Sequence, residues 1–400
     1  MSSADGVAAG PQPAPSARGG PGLRELAGSR GIVVIGGAGG VGKTTVAASF
    51  AAAVAATEPG RVLVLTIDPA RRLATSLGVG ELGNAETLVG PERWAEAGIR
   101  PRGELWAAML DTRAAWDDLV RRHAPDAGTA RAILANRLYA NVTSRFAESH
   151  PYVASERLHE LVEQGGYDLV VVDTPPSRQA IDVIDAPRRM REFFAGRLLR
   201  WLIAPATSRL VGLASRPFFV LADRVLGAQF LADVGAFFRL MSTMEDGFVS
   251  TADAVETMLR DEARFVVVTT PEPGPAREAA TFAAALVERG HRLGAVVLNR
   301  AVPDWVTAEP TVHTGVLLAT DAEGVAAQVA GAGAAVPAGP LGRVLAEVGR
   351  SHRLLLAAAE RQDAVEGELA GAGAALVRLA IQPDELTDLG ALVRAGRLLG

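Results

Sequence analysis

The stretch GGAGGVGKTT, from Gly36 to Thr45, sets Gly37, Gly42, Lys43 and Thr44 at the spacing G-x-x-x-x-G-K-T. Residue types in this order suit phosphate chemistry. Glycines at Gly37, Gly39, Gly40 and Gly42 let the backbone turn successive N–H groups, with those of Val41 and Thr45, around phosphate oxygens. The N-terminus of a following helix adds positive potential. Lys43 would neutralise the β- and γ-phosphates, and the Thr44 hydroxyl would reach a Mg²⁺ ion. Lysine and arginine together number 40, and Lys43 is the single lysine. Arginine serves well on a surface, but its planar fork does not replace a compact ammonium in a tight phosphate loop.

Three further residues stand where apolar runs end. Asp68 follows RVLVLTI and opens DPARRLATSLG. A carboxylate there could orient or deprotonate an attacking water; equally, Asp-Pro is a common start to a helix. Asp173 closes YDLVVVD, the Walker B pattern, where a carboxylate holds Mg²⁺ directly or through water; the bland alternative is a turn aspartate. Asn299 ends the run AVVL, and its amide can donate to and accept from a purine edge at once, or simply shape a turn.

The elements that must position these groups follow from hydrophobic patterning. Short apolar runs at 31–36, 61–67, 105–110, 168–172, 265–269, 295–298 and 376–381 read as strands, and 44–57 as an Ala-rich helix. Continuous apolar strands separated by helices indicate a mostly parallel sheet buried on both faces, hence a doubly wound α/β fold with ligands at the strands' C-terminal ends. Residues 111–165 and 187–262 are strand-poor and read as helical insertions. The second is strongly apolar, either a bundle packed on the sheet or a groove for a client helix. Residues 1–29 are rich in Pro, Gly, Ala and Ser and read as a disordered tail ahead of one domain over 30–400. The Ala/Gly-rich stretch 321–340 reads as a loose loop.

Composition narrows the function classes. Of 400 residues, 49% are hydrophobic and 21% charged, enough for a large core. A net charge of −5 disfavours nucleic acid, whose binding rests on phosphate neutralisation. There are no cysteines, so disulfides, thiolate metal sites and thiol catalysis are excluded, in keeping with a cytoplasmic setting. Neither a signal peptide nor a membrane-spanning run of about 18 apolar residues is evident.

The ordered motifs GGAGGVGKTT, DPARRLATSLG, DTPPSRQAIDVIDAP, TTPEPGPAREA and VVLNR resemble those of the ArsA-like ATPases, deviant-Walker enzymes that include the arsenite-pump and tail-anchored-protein targeting ATPases. The likeness runs from about Gly31 to Leu399 and is nearest to an actinobacterial branch lacking the signature lysine. It implies a Mg²⁺-dependent ATPase that works as a nucleotide-driven dimer switch. By position, residues 39–45 would cradle ATP, Asp68 would activate water, and Asp173 would lie on the Mg²⁺ side. Asn299 would contact adenine, and Ile381 would lie in a loop over the base. The chain departs from the pattern G-K-G-G-V-G-K-T at Ala38, where the family carries a lysine that crosses to the partner's phosphates. Either an arginine replaces it (Arg71, Arg72 and Arg178 are candidates), or a lysine-bearing paralogue completes a heterodimer in which this chain is a regulatory subunit. The switch segments also lack the usual Gly and His. Without cysteines, metalloid binding and a zinc-clamped dimer are not expected. An apolar client helix or a membrane protein remains the expected partner.

Overall fold

The computed structural model describes residues 31–67, 71–80, 82–136, 138–139, 149–196, 228–333, 335–371 and 373–399. Strands are β1 (Gly31–Gly37), β2 (Arg61–Thr66), β3 (Thr87–Leu88), β4 (Glu104–Met109), β5 (Leu169–Asp173), β6 (Ala263–Thr269), β7 (Arg292–Ala301) and β8 (Ala375–Ala380). They form one sheet in the order β3-β4-β2-β5-β1-β6-β7-β8. Every pairing is parallel except that of the short edge strand β3 with β4. The chain moves outward from β1 through β2 to β4, returns to insert β5 between β2 and β1, and then crosses to β6 on the other side. That reversal beside β1 is a topological switch point, where an open parallel sheet opens a crevice at its C-terminal edge.

Alternation along β1 shows why the strands read as continuous apolar runs. Val33 and Ile35 point into a core with α1 (Lys43–Thr57), while Ile32 and Val34 point to the opposite face, against Phe265 and Phe282. Successive strand side chains face opposite ways, so a sheet covered on both faces needs apolar residues at every position. The alanines of α1 serve a different end. The C-terminal helix Leu389–Gly396 lies against them so closely that a Cβ on Gly396 would collide with the Ser49 carbonyl oxygen. We expect Gly396→Ala to lower stability by about 1–3 kcal/mol through overpacking, read as a lower urea midpoint at unchanged slope; an unchanged midpoint would contradict this packing.

Helices Thr112–His123, Ala127–Leu134, Ser149–Gln164, Ser177–Ala195, Ala228–Ser242 and Glu245–Asp261 occupy the strand-poor stretches. They meet in a third core of Trp116, Tyr152, Phe194, Phe237 and Phe248. Phe248 stands at its centre, in ring contact with Trp116, His123, Tyr152 and Phe194. Described helices of both stretches therefore contribute to one core. Residues 1–29 and 197–227, the latter including most of the expected apolar groove, lie outside the described residues.

The loose loop expected over 321–340 is corrected. Helix Ala322–Gly331 and the start of the long helix Ala338–Ala370 occupy most of it, with Glu309–Thr320 packed beside them. Small residues permit close contact rather than disorder: Ala322 and Ala326 are buried, and just beyond the stretch Gly349 abuts the backbone at Leu318 and Ala319. Large apolar side chains stand exposed on this unit, among them Trp305, Val316, Val344, Val348 and Leu354. Among the described residues no helix is long and apolar enough to cross a membrane.

Candidate nucleotide site

The site grows from the C-terminal end of β1. Gly37 ends the strand at φ 148°, and a Cβ there would collide with the Val268 carbonyl of β6. The loop 38–42 then turns back, with Gly42 at φ 95° delivering the chain into α1. The first helical bond runs from Val46 N to Gly42 O at 2.9 Å. The opening N–H groups of α1, which have no acceptor one turn earlier within the helix, thus belong to Lys43, Thr44 and Thr45. This is the strand–loop–helix geometry that concentrates positive potential on an anion.

Lys43 is 8% exposed, and its Nζ donates to the Ala38 carbonyl at 2.8 Å. The ammonium therefore arches back over the loop. Ala38 is buried at 5% exposure among the side chains packed on α1. The position expected to reach toward a partner instead carries a small methyl turned into the core.

Asp173 ends β5 and is almost wholly buried. β5 lies between β2 and β1, so both neighbours bring groups to it. Thr44 Oγ1 donates to Asp173 Oδ2 at 2.6 Å, and Thr66 Oγ1, at the end of β2, donates to the same oxygen at 3.1 Å. Ile67 N donates to the Asp173 carbonyl at 3.0 Å, and Thr174 Oγ1 to the Ile35 carbonyl at 2.8 Å. A hydroxyl and a carboxylate at hydrogen-bond distance form an all-oxygen donor set suited to a hard dication. Mg²⁺ takes one or two such protein ligands and fills the rest with water and phosphate oxygens, so these residues fit the ion.

The segment after β5 lies alongside the phosphate loop: the nearest atom to a Cβ built on Gly39 would be Pro176 Cγ, at 3.9 Å. Ser177 then opens its helix and donates from Oγ to Glu278 Oε1 at 2.8 Å. Arg178, one residue on, is exposed. Asp68 lies outside the described residues. Its strand, β2, pairs Thr66 with Asp173, so the chain leaves β2 at the same edge of the sheet. Arg71 and Arg72 open helix Arg71–Leu77.

Asn299 reaches the loop from β7: its Nδ2 donates to the Val41 carbonyl at 2.8 Å, and its Oδ1 accepts from Arg300 N at 2.9 Å. One amide hydrogen and one lone pair remain for a ligand. A Cβ on Gly42 would collide with that Nδ2. Gly42→Ala is accordingly expected to weaken ATP binding by about tenfold or more, since it adds a clash to a φ that L-residues avoid; equal affinity in a binding titration would contradict it. Ile381 follows β8, donates from N to the Ala301 carbonyl at 2.9 Å, and is 59% exposed. The structure thus gathers Lys43, Thr44, Asp173, Asn299 and Ile381 along the C-terminal edge of five adjoining strands. Sequence reasoning missed Thr66, whose only signal was a hydroxyl ending an apolar run, and the Ser177–Glu278 contact, which had none.

A doubly wound parallel sheet with this loop at its switch point defines a P-loop NTPase of α/β class. The family model described as anion-transporting ATPase (ArsA ATPase) matches residues 30–313. The chain belongs to the ArsA ATPase family, whose general activity is nucleotide binding and ATP hydrolysis. It is 31% identical over 282 residues to an uncharacterized protein of Streptomyces coelicolor, a match covering 69% of this chain and 64% of that protein.

Proposed function

We propose that this chain is a Mg²⁺-dependent ATPase whose nucleotide state is passed from the phosphate loop to the segment after Asp173. The observation that carries the reading is the Thr44–Asp173 hydrogen bond, which joins the start of α1 to the end of β5. Lys43 would bind the β- and γ-phosphates, and the N–H groups of residues 39–45 would line them. Thr44 and Asp173 would hold Mg²⁺, partly through water, and when bound the ion would neutralise charge on the phosphate oxygens. Asp68 would orient the attacking water, and Asn299 and Ile381 would border the base. Ile67, just after β2, donates to the Asp173 carbonyl, so loss of a γ-phosphate there would be felt at the ends of both strands. A deviant-Walker dimer switch, coupled to an apolar client or membrane partner, is part of this proposal on family grounds.

A second reading is favoured by Ala38, buried and uncharged where the family has a lysine. In it, this chain binds nucleotide as the regulatory half of a heterodimer with an ArsA-like paralogue. Against it stands Arg178, exposed two residues after Pro176, whose ring lies near Gly39, and able to supply a cation from a second copy.

Steady-state ATP hydrolysis by the purified chain, followed across protein concentration, separates the two. The ATPase reading expects Mg²⁺-dependent turnover whose specific rate rises with concentration as dimers form, and which falls about tenfold or more in Arg178→Ala. ATP binding without turnover at any concentration would favour the regulatory reading. Absence of binding would defeat both.

A further inference from the structure

Eleven described residues hold a left-handed φ, and ten are glycine; the other is Arg300, at φ 56°. A non-glycine side chain in that region costs free energy that glycine would not. Such residues persist where the surroundings fix them, and they cluster at ligand sites. The surroundings here are specific. β7 and β8 pair Asn299 with Leu379 and then Ala301 with Ala380, so Arg300 is an extra residue bulged from the ladder. Its N–H caps Asn299 Oδ1 while Asn299 Nδ2 holds the phosphate loop at Val41.

The backbone alone does not account for an arginine. The bulge, the left-handed φ and the N–H donation would all be provided by glycine, which this chain uses at its other described left-handed positions. What glycine would not provide is the guanidinium. That group stands in solvent, and among the described residues no carboxylate pairs with it, whereas Arg378 of the neighbouring strand is ion-paired to Glu366 and Asp304. An exposed apolar side chain, Ile381, also projects at this edge, just after β8. A planar cation, an amide with a spare donor and acceptor, and an aliphatic side chain are the three surfaces that a nucleobase can use: a face to stack on, an edge to read and an apolar wall.

We propose that Arg300 stacks its guanidinium on the base of the bound nucleotide and so sets nucleotide affinity from the base side of the site. This rests on the nucleotide reading above. The left-handed backbone is retained because it turns the residue out of the β7 ladder while orienting Asn299.

Arg300→Gly tests the inference, because it keeps the φ and the N–H donor and removes only the side chain. Binding of ATP, ADP and inorganic tripolyphosphate is measured by calorimetry on the full chain, beside Arg300→Lys. The expected result is a weakening of about three- to tenfold for both nucleotides, unchanged tripolyphosphate affinity, and no rescue by lysine, whose ammonium has no plane to stack. Thermal stability of the unliganded Arg300→Gly protein should equal or exceed that of wild type, since strain is released. Nucleotide affinity equal to wild type would overturn the inference. So would a parallel loss for tripolyphosphate, because it would place the cation on phosphate, or full rescue by lysine, because it would show that a point charge suffices without a stacking plane. Wild-type protein that binds neither nucleotide nor tripolyphosphate would overturn the nucleotide site itself.

Discussion

Lys43→Ala removes ATP turnover, by at least about 100-fold, while the fold persists. The magnitude is that of deleting one preorganised charge from a site where negative charge develops. Lys43 is the single lysine, so no other ammonium can move into the vacancy. Among its contacts on the protein side is the hydrogen bond from Nζ to the Ala38 carbonyl, which the truncation removes. Lys43→Arg should not rescue turnover, because the forked guanidinium has to fit a position only 8% exposed. The check is hydrolysis and ATP affinity measured together with the unfolding midpoint. A variant that keeps its midpoint and its turnover would show that the phosphate loop is not the working site.

Asp173→Asn is expected to be the second largest effect: turnover falls by about 100-fold, and the Mg²⁺ concentration for half-maximal rate rises, as when a charged ligand to a catalytic metal is neutralised. The shape is kept and the asparagine oxygen still accepts from Thr44 and Thr66, so the strand ends remain joined. The measurement is a Mg²⁺ titration of the hydrolysis rate. An unshifted Mg²⁺ dependence with normal turnover would reassign Asp173 to a structural bond between β5 and α1.

The strands were legible because a sheet buried on both faces leaves apolar runs with no polar interruption, as in LVVVD ending at Asp173. The strand–loop–helix turn after β1 was legible because its backbone needs glycines at particular places: Gly37 lies against the Val268 carbonyl and Gly42 against Asn299. Pairing across the sheet was not legible. Nothing local in RVLVLT announces that Thr66 will share Asp173 with Thr44, since that depends on β5 inserting between β2 and β1. The 321–340 stretch misled for a related reason. Small residues give no strong apolar stripe to mark a helix face, yet Ala322 and Ala326 are buried. Asn299 was singled out for a base edge; what the folded register of β7 reveals is its bonds to Val41 and Arg300.

Hydrogen–deuterium exchange of the wild-type chain with and without Mg·ATP tests the central claim most directly, because it reports where nucleotide acts without presupposing turnover. The account predicts protection on ATP addition in peptides covering residues 37–46, 173–180 and 297–301, lost again in Lys43→Ala. Protection confined to other segments, or unchanged by removal of Lys43, would contradict a nucleotide site built on the β1–α1 loop.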